Sequence, residues 1–126
     1  MIDLNHCYLT GTIGEDFRYK HSQDGKEFAT FTLLVNSYDK EMHDGTEQRQ
    51  ITFLRIMVFD RHCVEYLHNV NARHGHHVHI IARINSHRVE YKGHTYIQND
   101  VVARRIFLLA TQSMARAMND KQEQEQ

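Results

Sequence analysis

Apolar residues fall at every second position along most of this chain. Over residues 4–13, Cys7, Leu9, Gly11 and Ile13 share one face. Over 28–38 the same is true of Ala29, Phe31, Leu33 and Val35. Over 51–59, Leu54, Ile56 and Val58 alternate with Phe53, Arg55, Met57 and Phe59. Over 78–84, Val78, Ile80, Ala82 and Ile84 point inward and His79, Ile81 and Arg83 outward. A period of two marks strands with one buried face. A fifth such segment covers about 95–103. One segment breaks the pattern: between 60 and 75, Cys63, Val64, Tyr66, Leu67 and Val70 follow helical spacing. Asp60 is placed to cap that helix and Gly75 to end it. A second helix is predicted over 110–120, where Met114 and Met118 stand one turn apart. Asp24-Gly25, Asp44-Gly45 and Lys92-Gly93 are the predicted turns.

The order is three strands, a helix and two strands. It predicts an all-β fold, a five-stranded Greek-key barrel of the OB type, with one helix between strands 3 and 4 and a short C-terminal helix. An SH3-like barrel or an α+β sheet shares a similar order. The predicted division is a barrel domain, 1–109, and a helical and polar tail, 110–126. A chain of 126 residues suits one core. No apolar run reaches membrane-spanning length, and the first residues lack the basic and apolar regions of a signal peptide. Two cysteines, Cys7 and Cys63, make no disulfide framework, so the chain reads as cytoplasmic with free, buried thiols.

The net charge of −1 hides an asymmetry. Residues 1–48 hold 4 basic and 9 acidic residues, a local charge of −5. Residues 49–105 hold 9 basic and 4 acidic residues, a local charge of +5, with 8 of the 11 histidines. The second segment could form a positive face, or folding could mix the two segments. The third strand carries the more pointed signal. Outward positions on a barrel should be polar, yet here they are Phe53, Arg55, Met57 and Phe59. Steps of about 7 Å between them suit splayed bases stacking on the rings, with Arg55 on a phosphate or base. A covering subunit or the C-terminal helix would also explain that face. Flanking segments add Arg18, Tyr19, Lys20 and Lys26, then Tyr38 and Lys40, then the Arg88–Tyr91–Tyr96 region of a hairpin. Basic residues interleaved with aromatics suit tracking of a nucleic-acid backbone.

These residues resemble the bacterial single-stranded DNA-binding protein family over about 4–109. The likeness rests on residues 5–16 (NHCYLTGTIGED), Phe17-Arg18-Tyr19, Ala29-Thr30-Phe31-Thr32-Leu33, the third strand, the Gly75 turn and the closing Val101-Val102-Ala103 with Ile106 and Leu109. The resemblance implies an OB-fold that binds single-stranded DNA in replication, recombination, repair or plasmid transfer. It implies base stacking on Phe53 and Phe59. It places phosphate contacts at Arg55, Arg61, Arg73, Arg88 and Arg18. A third stacking position falls at Val89, for which Tyr91 is the natural substitute, and a fourth falls on or beside Tyr38. The family usually stacks Trp, and this chain has none. The family also implies a homotetramer, with a dimer as the alternative, self-pairing along a first strand bearing His6, Tyr8 and Thr10. Its acidic, hydrophobic tip recruits replication and repair proteins. The ending Glu123-Gln124-Glu125-Gln126 does not match that tip, which points to a truncated or mobile-element relative.

Other chemistries are expected to be absent. Among His74, His76, His77 and His79, the pair His77 and His79 shares a strand face, making them the candidate ligands of a metal-binding module. No local cysteine or carboxylate completes a tetrahedral set, so no metal or other cofactor is expected. Cys63 sits on the apolar face of its helix, which argues for a packed thiol over a nucleophile. No phosphate-binding loop, nucleophile elbow or dinucleotide fingerprint occurs, so no enzyme is expected. A remaining alternative is an accessory protein of replication restart or conjugation that uses its OB-fold mainly to hold protein partners.

Overall fold

The computed structural model describes residues 1–41 and 47–111, those at 38–41 and 47–49 by backbone alone. The element order is β1 (Cys7–Ile13), β2 (Arg18–His21), β3 (Glu27–Glu41), β4 (Glu47–Val58), α1 (Arg61–Asn69), β5 (His77–Tyr91) and β6 (His94–Ala110). The strands run β1-β5-β6-β4-β3-β2, and β1 also pairs with β3. Five strands therefore close into a ring, and β2 lies outside it as a flap on β3. Closure is uneven. β4 and β6 pair in parallel at Ile56↔Val101 and Met57↔Val102 only. β1 meets β3 only at Thr12↔Leu34 and Ile13↔Leu33.

β2 is a sixth strand that the alternation did not reveal. Four residues are too few to show a period, and three of them are Arg18, Lys20 and His21. It forms by pairing with β3, Arg18↔Thr30 through His21↔Glu27. Tyr19 braces it. The Tyr19 ring stacks on His68 of α1 at 4.0 Å, and His68 Nε2 lies 2.6 Å from the Glu27 carboxylate. The predicted turn at Asp24-Gly25 joins β2 to β3, with Gly25 at φ 84°. The Asp44-Gly45 turn lies outside the described residues.

Inward positions hold the core: Ile13, Ala29, Phe31, Leu33, Ile56, Val58, Val78, Ile80 and Ala82, with Cys63, Val64 and Leu67 from α1. Cys7, expected to be buried, is only half-buried at the start of β1. Ile84, expected inward, is 45% exposed. The barrel ends there, and β5 and β6 continue as a two-stranded ribbon. Lys92 (φ 50°) and Gly93 (φ 78°) turn that ribbon, the positive-φ pair that suits the twist of a two-residue hairpin.

Asp60 caps α1 as expected, accepting from the N–H groups of His62 (2.8 Å) and Cys63 (3.2 Å). The helix does not run to Gly75. It stops at Asn69, because Asn71 adopts the left-handed conformation (φ 52°). Asn71 N–H then bonds His68 O and Ala72 N–H bonds Leu67 O, the paired contacts of a Schellman ending. Gly75, at φ 85°, instead turns the chain into β5. Ala110 closes β6 rather than opening a second helix. The rest of the predicted helix, with Met114 and Met118, lies outside the described residues.

Two packing details are directly testable. A Cβ on Gly11 would sit 2.6 Å from Leu34 O and 2.9 Å from Leu33 Cγ. We expect Gly11→Ala to cost about 1–3 kcal/mol of stability through overpacking at the closure. Denaturant unfolding reads this directly, and parental stability would show that the close approach is not needed.

The His76 ring is buried, and its Nδ1 has no hydrogen-bond partner among the described residues. Burial first, then the charges of Arg73 and His74, hold its pKa below the ordinary 6.5. Between the depressed value and 6.5, the unfolded chain binds a proton that the folded chain does not. This contribution to stability is thus complete above pH 6.5 and falls as the pH drops below it. His76→Leu should flatten the stability profile as the pH falls below 6.5. An unaltered slope would assign the acid sensitivity to other groups.

Candidate nucleic-acid interface

The register of the strands turns the outward residues into a grid. Pairing of Thr32 with Arg55 and of Leu34 with Phe53 gives two rows across β3 and β4. A third row runs Arg18, Thr30, Met57, Val102 and Arg83, crossing β2, β3, β4, β6 and β5. The fourth brings Lys20, Phe28 and Phe59 together, with the Phe28 and Phe59 rings 5.3 Å apart. Directly paired residues share a face of the sheet. The predicted ladder thus exists with its expected register. Phe53 is 65% and Phe59 53% exposed, while Ile56 and Val58 are fully buried.

Phe59 is the focus of this face. It follows the last residue of β4 and precedes the capping Asp60, so strand end and helix start both fix its backbone. Three shallow cavities meet at its ring. One of about 610 Å³ runs toward Ser22, Lys26 and Phe28. A second of about 660 Å³ runs toward Lys26, Arg61, Val64 and His68. A third of about 400 Å³ runs toward Asp60, Arg83, Asn85, Val102 and Arg104. Each cavity brings cations beside acids to the ring: Lys26 with Asp24 and Glu27, Arg61 with Glu65, and Arg83 and Arg104 with Asp60.

The other expected site residues fall in different places. Arg55 is exposed between the rings. Its charge helps to hold the Asp16 pKa down; burial there acts upward but is outweighed by hydrogen bonds from Thr32 N–H and Oγ1. Arg61 is held by Glu65 at 3.0 Å, an exposed pair that is worth little and readily exchanged. Arg73 lines a separate hollow of about 300 Å³ with Tyr19, Leu67 and His68. Tyr91 is 61% exposed at the ribbon tip, with Lys92 Nζ 5.4 Å from its ring centre. Counting by two from Arg83 puts Asn85, His87, Val89 and Tyr91 on its face, and Arg88 on the reverse face of the ribbon. Tyr38 pairs with Arg49 along the backbone, and its side chain lies outside the described residues.

Three contributors were not singled out from the sequence. Phe28 follows only from the β3–β4 register. Arg104 is the extra residue of a bulge, since Ile81 pairs with Arg105 and Ala82 with Ala103. Arg83 was placed outward, but its meeting with Phe59 depends on that bulge and on the β4–β6 crossing. The histidine cluster does not converge. His77 Nδ1 lies 3.4 Å from Thr12 Oγ1 and His79 Nδ1 3.1 Å from Thr10 Oγ1. No group of three potential metal ligands comes together among the described residues. Cys63 is buried, its thiol donating to Arg104 O at 3.1 Å. Its pKa is raised by burial and by the nearby Asp60 charge, which makes it a poor nucleophile.

The single-strand binding protein family model matches residues 4–109. Comparison with curated protein sequences gives no match. Among solved structures, the chain superposes on Plasmodium falciparum SSB in complex with ssDNA at a TM-score of 0.74 and 19% identity, covering 86% of this chain and 97% of that one. A deletion mutant of the single-stranded DNA binding protein from Thermus aquaticus gives 0.72 and 18%, over 88% of this chain and 53% of that one. The mitochondrial single-stranded DNA binding protein of S. cerevisiae gives 0.62 and 20%, over 87% and 99%.

Proposed function

The chain belongs to the single-strand binding protein family, and from that premise we propose that it binds single-stranded DNA without sequence preference and without catalysing a reaction. The observation that carries the reading is the outward face of β4 and of the residue that follows it, where Phe53 and Phe59 lie uncovered on either side of Arg55. Bases stack on the two rings, and Arg55, Arg18 and Lys20 meet phosphates. Tyr91 extends the stacking surface along the ribbon. Such a face holds unpaired bases and has no element shaped to enter a duplex groove. The service is protection of single strands in the cytoplasm during replication, recombination, repair or plasmid transfer.

The protein acts as a homotetramer, with a dimer as the smaller alternative. Two features support self-association. Among the described residues, residues 7–10 of β1 pair only with β5, which leaves one strand edge open there. The outer face beside that edge carries Tyr8 (67% exposed), Phe107 (44%) and Leu109 (52%), an apolar surface suited to burial against a second copy.

Anisotropy titration of labelled poly-dT against duplex tests the function. Tight binding to dT, feeble binding to duplex and a steep loss of affinity with salt are expected. Phe53→Ala and Phe59→Ala should each weaken dT binding by about 1–3 kcal/mol, one stacked base apiece, while melting near the parental temperature. Equal affinity for duplex and dT would overturn the reading. Light scattering tests the assembly: a mass near 14.9 kDa at micromolar concentration would show a monomer and remove that part.

A further inference from the structure

The third cavity at Phe59 differs from its neighbours in how its cations are engaged. Arg61, on the helix side, is held by Glu65, and Lys26, on the hairpin side, lies 3.9 Å from Asp24. Arg83 and Arg104 make no ion pair with any described residue, although both line the same cavity of about 400 Å³. The acids nearby are already engaged. Asp60 accepts two N–H groups at the start of α1. Asp100, directly across from Asn85, lies 3.3 Å from His87 Nδ1. Among the described residues, the two guanidiniums therefore lack an anion.

Their placement follows from the fold. Arg83 reaches the cavity through the row that links it to Val102 and Met57. Arg104 is the bulged residue of β6. A bulge leaves one residue out of the ladder and re-aims its side chain. The β6 backbone is fixed at that point, since Arg104 O accepts from the buried Cys63 thiol. A ring with two forked donors beside it and an apolar floor at Val102 matches a nucleotide unit: base on ring, phosphates on guanidinium.

Resting on the single-strand reading above, we infer that Arg83 and Arg104 bind the backbone phosphates on either side of the base stacked on Phe59. The strand then leaves β4 over the β4–β6 crossing toward Asn85 and the ribbon. This path does not need Arg61 or Arg73.

The test is the salt dependence of dT binding for Arg83→Gln, Arg104→Gln and the double variant. Each lost phosphate contact on a single strand removes about 0.7 from the slope of log K against log salt. The double variant should lose about 1.4, so a tenfold change in salt moves its Kd about 25-fold less than it moves the parent's. Replacement by Lys at both positions should restore most of the slope. Arg105→Gln removes one charge on the outer face shared with Ile81 and should leave the slope unchanged. A double Gln variant with the parental slope overturns the inference, as does an equal loss in Arg105→Gln, which would mark an effect of net charge. If the slope is unchanged while Phe53→Ala still weakens binding, only the phosphate assignment fails. If the parent does not bind dT, the single-strand reading fails and this inference falls with it.

Discussion

The barrel depends on a close approach between two backbones at Gly11. β1 must pair with β5 along most of its length and then transfer to β3 at Thr12 and Ile13. At that crossing a Cβ would stand 2.6 Å from Leu34 O. Only a residue without a side chain lets β1 lie that close to β3. Closure in turn sets the tilt of β3 and β4, and with it which outward residues come into line. The grid of Phe53, Arg55, Met57 and Phe59 against Leu34, Thr32, Thr30 and Phe28 is therefore a consequence of a contact on another strand pair. A barrel left open at β1 would keep the hairpin of β3 and β4 but lose the fixed relation of that hairpin to β5 and β6.

The join between β4 and α1 passes this order on to the candidate site. Val58 is fully buried, Phe59 half exposed, and Asp60 tied to the helix start within three consecutive residues. The core holds one end of Phe59 and the cap holds the other, so the ring faces the cavities with little freedom left to lose on binding. The stack of Tyr19 on His68, with Glu27 beside it, ties the β2–β3 flap to the same helix. That contact fixes the far wall of the groove in which Phe28 meets Phe59.

Much of this was legible in the sequence, for identifiable reasons. The ladder on β4 could be read because a period of two assigns faces without knowledge of partners. α1 could be read because Asp60 and the spacing of Cys63, Val64 and Leu67 are local signals. What escaped reading was set by partners. β2 is too short to show a period and exists only through β3. The helix end moved because Asn71 took the left-handed position, which a side-chain amide tolerates and which glycine was expected to supply. Phe28 joined the site through strand register, and Arg104 through a bulge that leaves no mark on alternation because both residues after Ala103 are Arg. Ile84 looked like core because its strand continues beyond the barrel in the same alternation.

The residues assigned to DNA are those the fold leaves unsatisfied. A buried phenylalanine side chain contributes roughly 1.5–3 kcal/mol to stability relative to an exposed one, and Phe53 and Phe59, each more than half exposed, forgo much of that. Phe31, by contrast, is 1% exposed and contributes it in full. The same division runs through the cations. Arg61 and Lys26 have carboxylates of their own, whereas Arg83 and Arg104 have none among the described residues. Around Phe59, an uncovered ring meets two guanidiniums that have no ion pair among the described residues. A stacked base with its phosphates satisfies both at once, since it covers apolar surface and supplies anions in the same step. That coincidence is hard to derive from stability alone, because a face selected only for folding would pair those charges or replace the rings with polar residues.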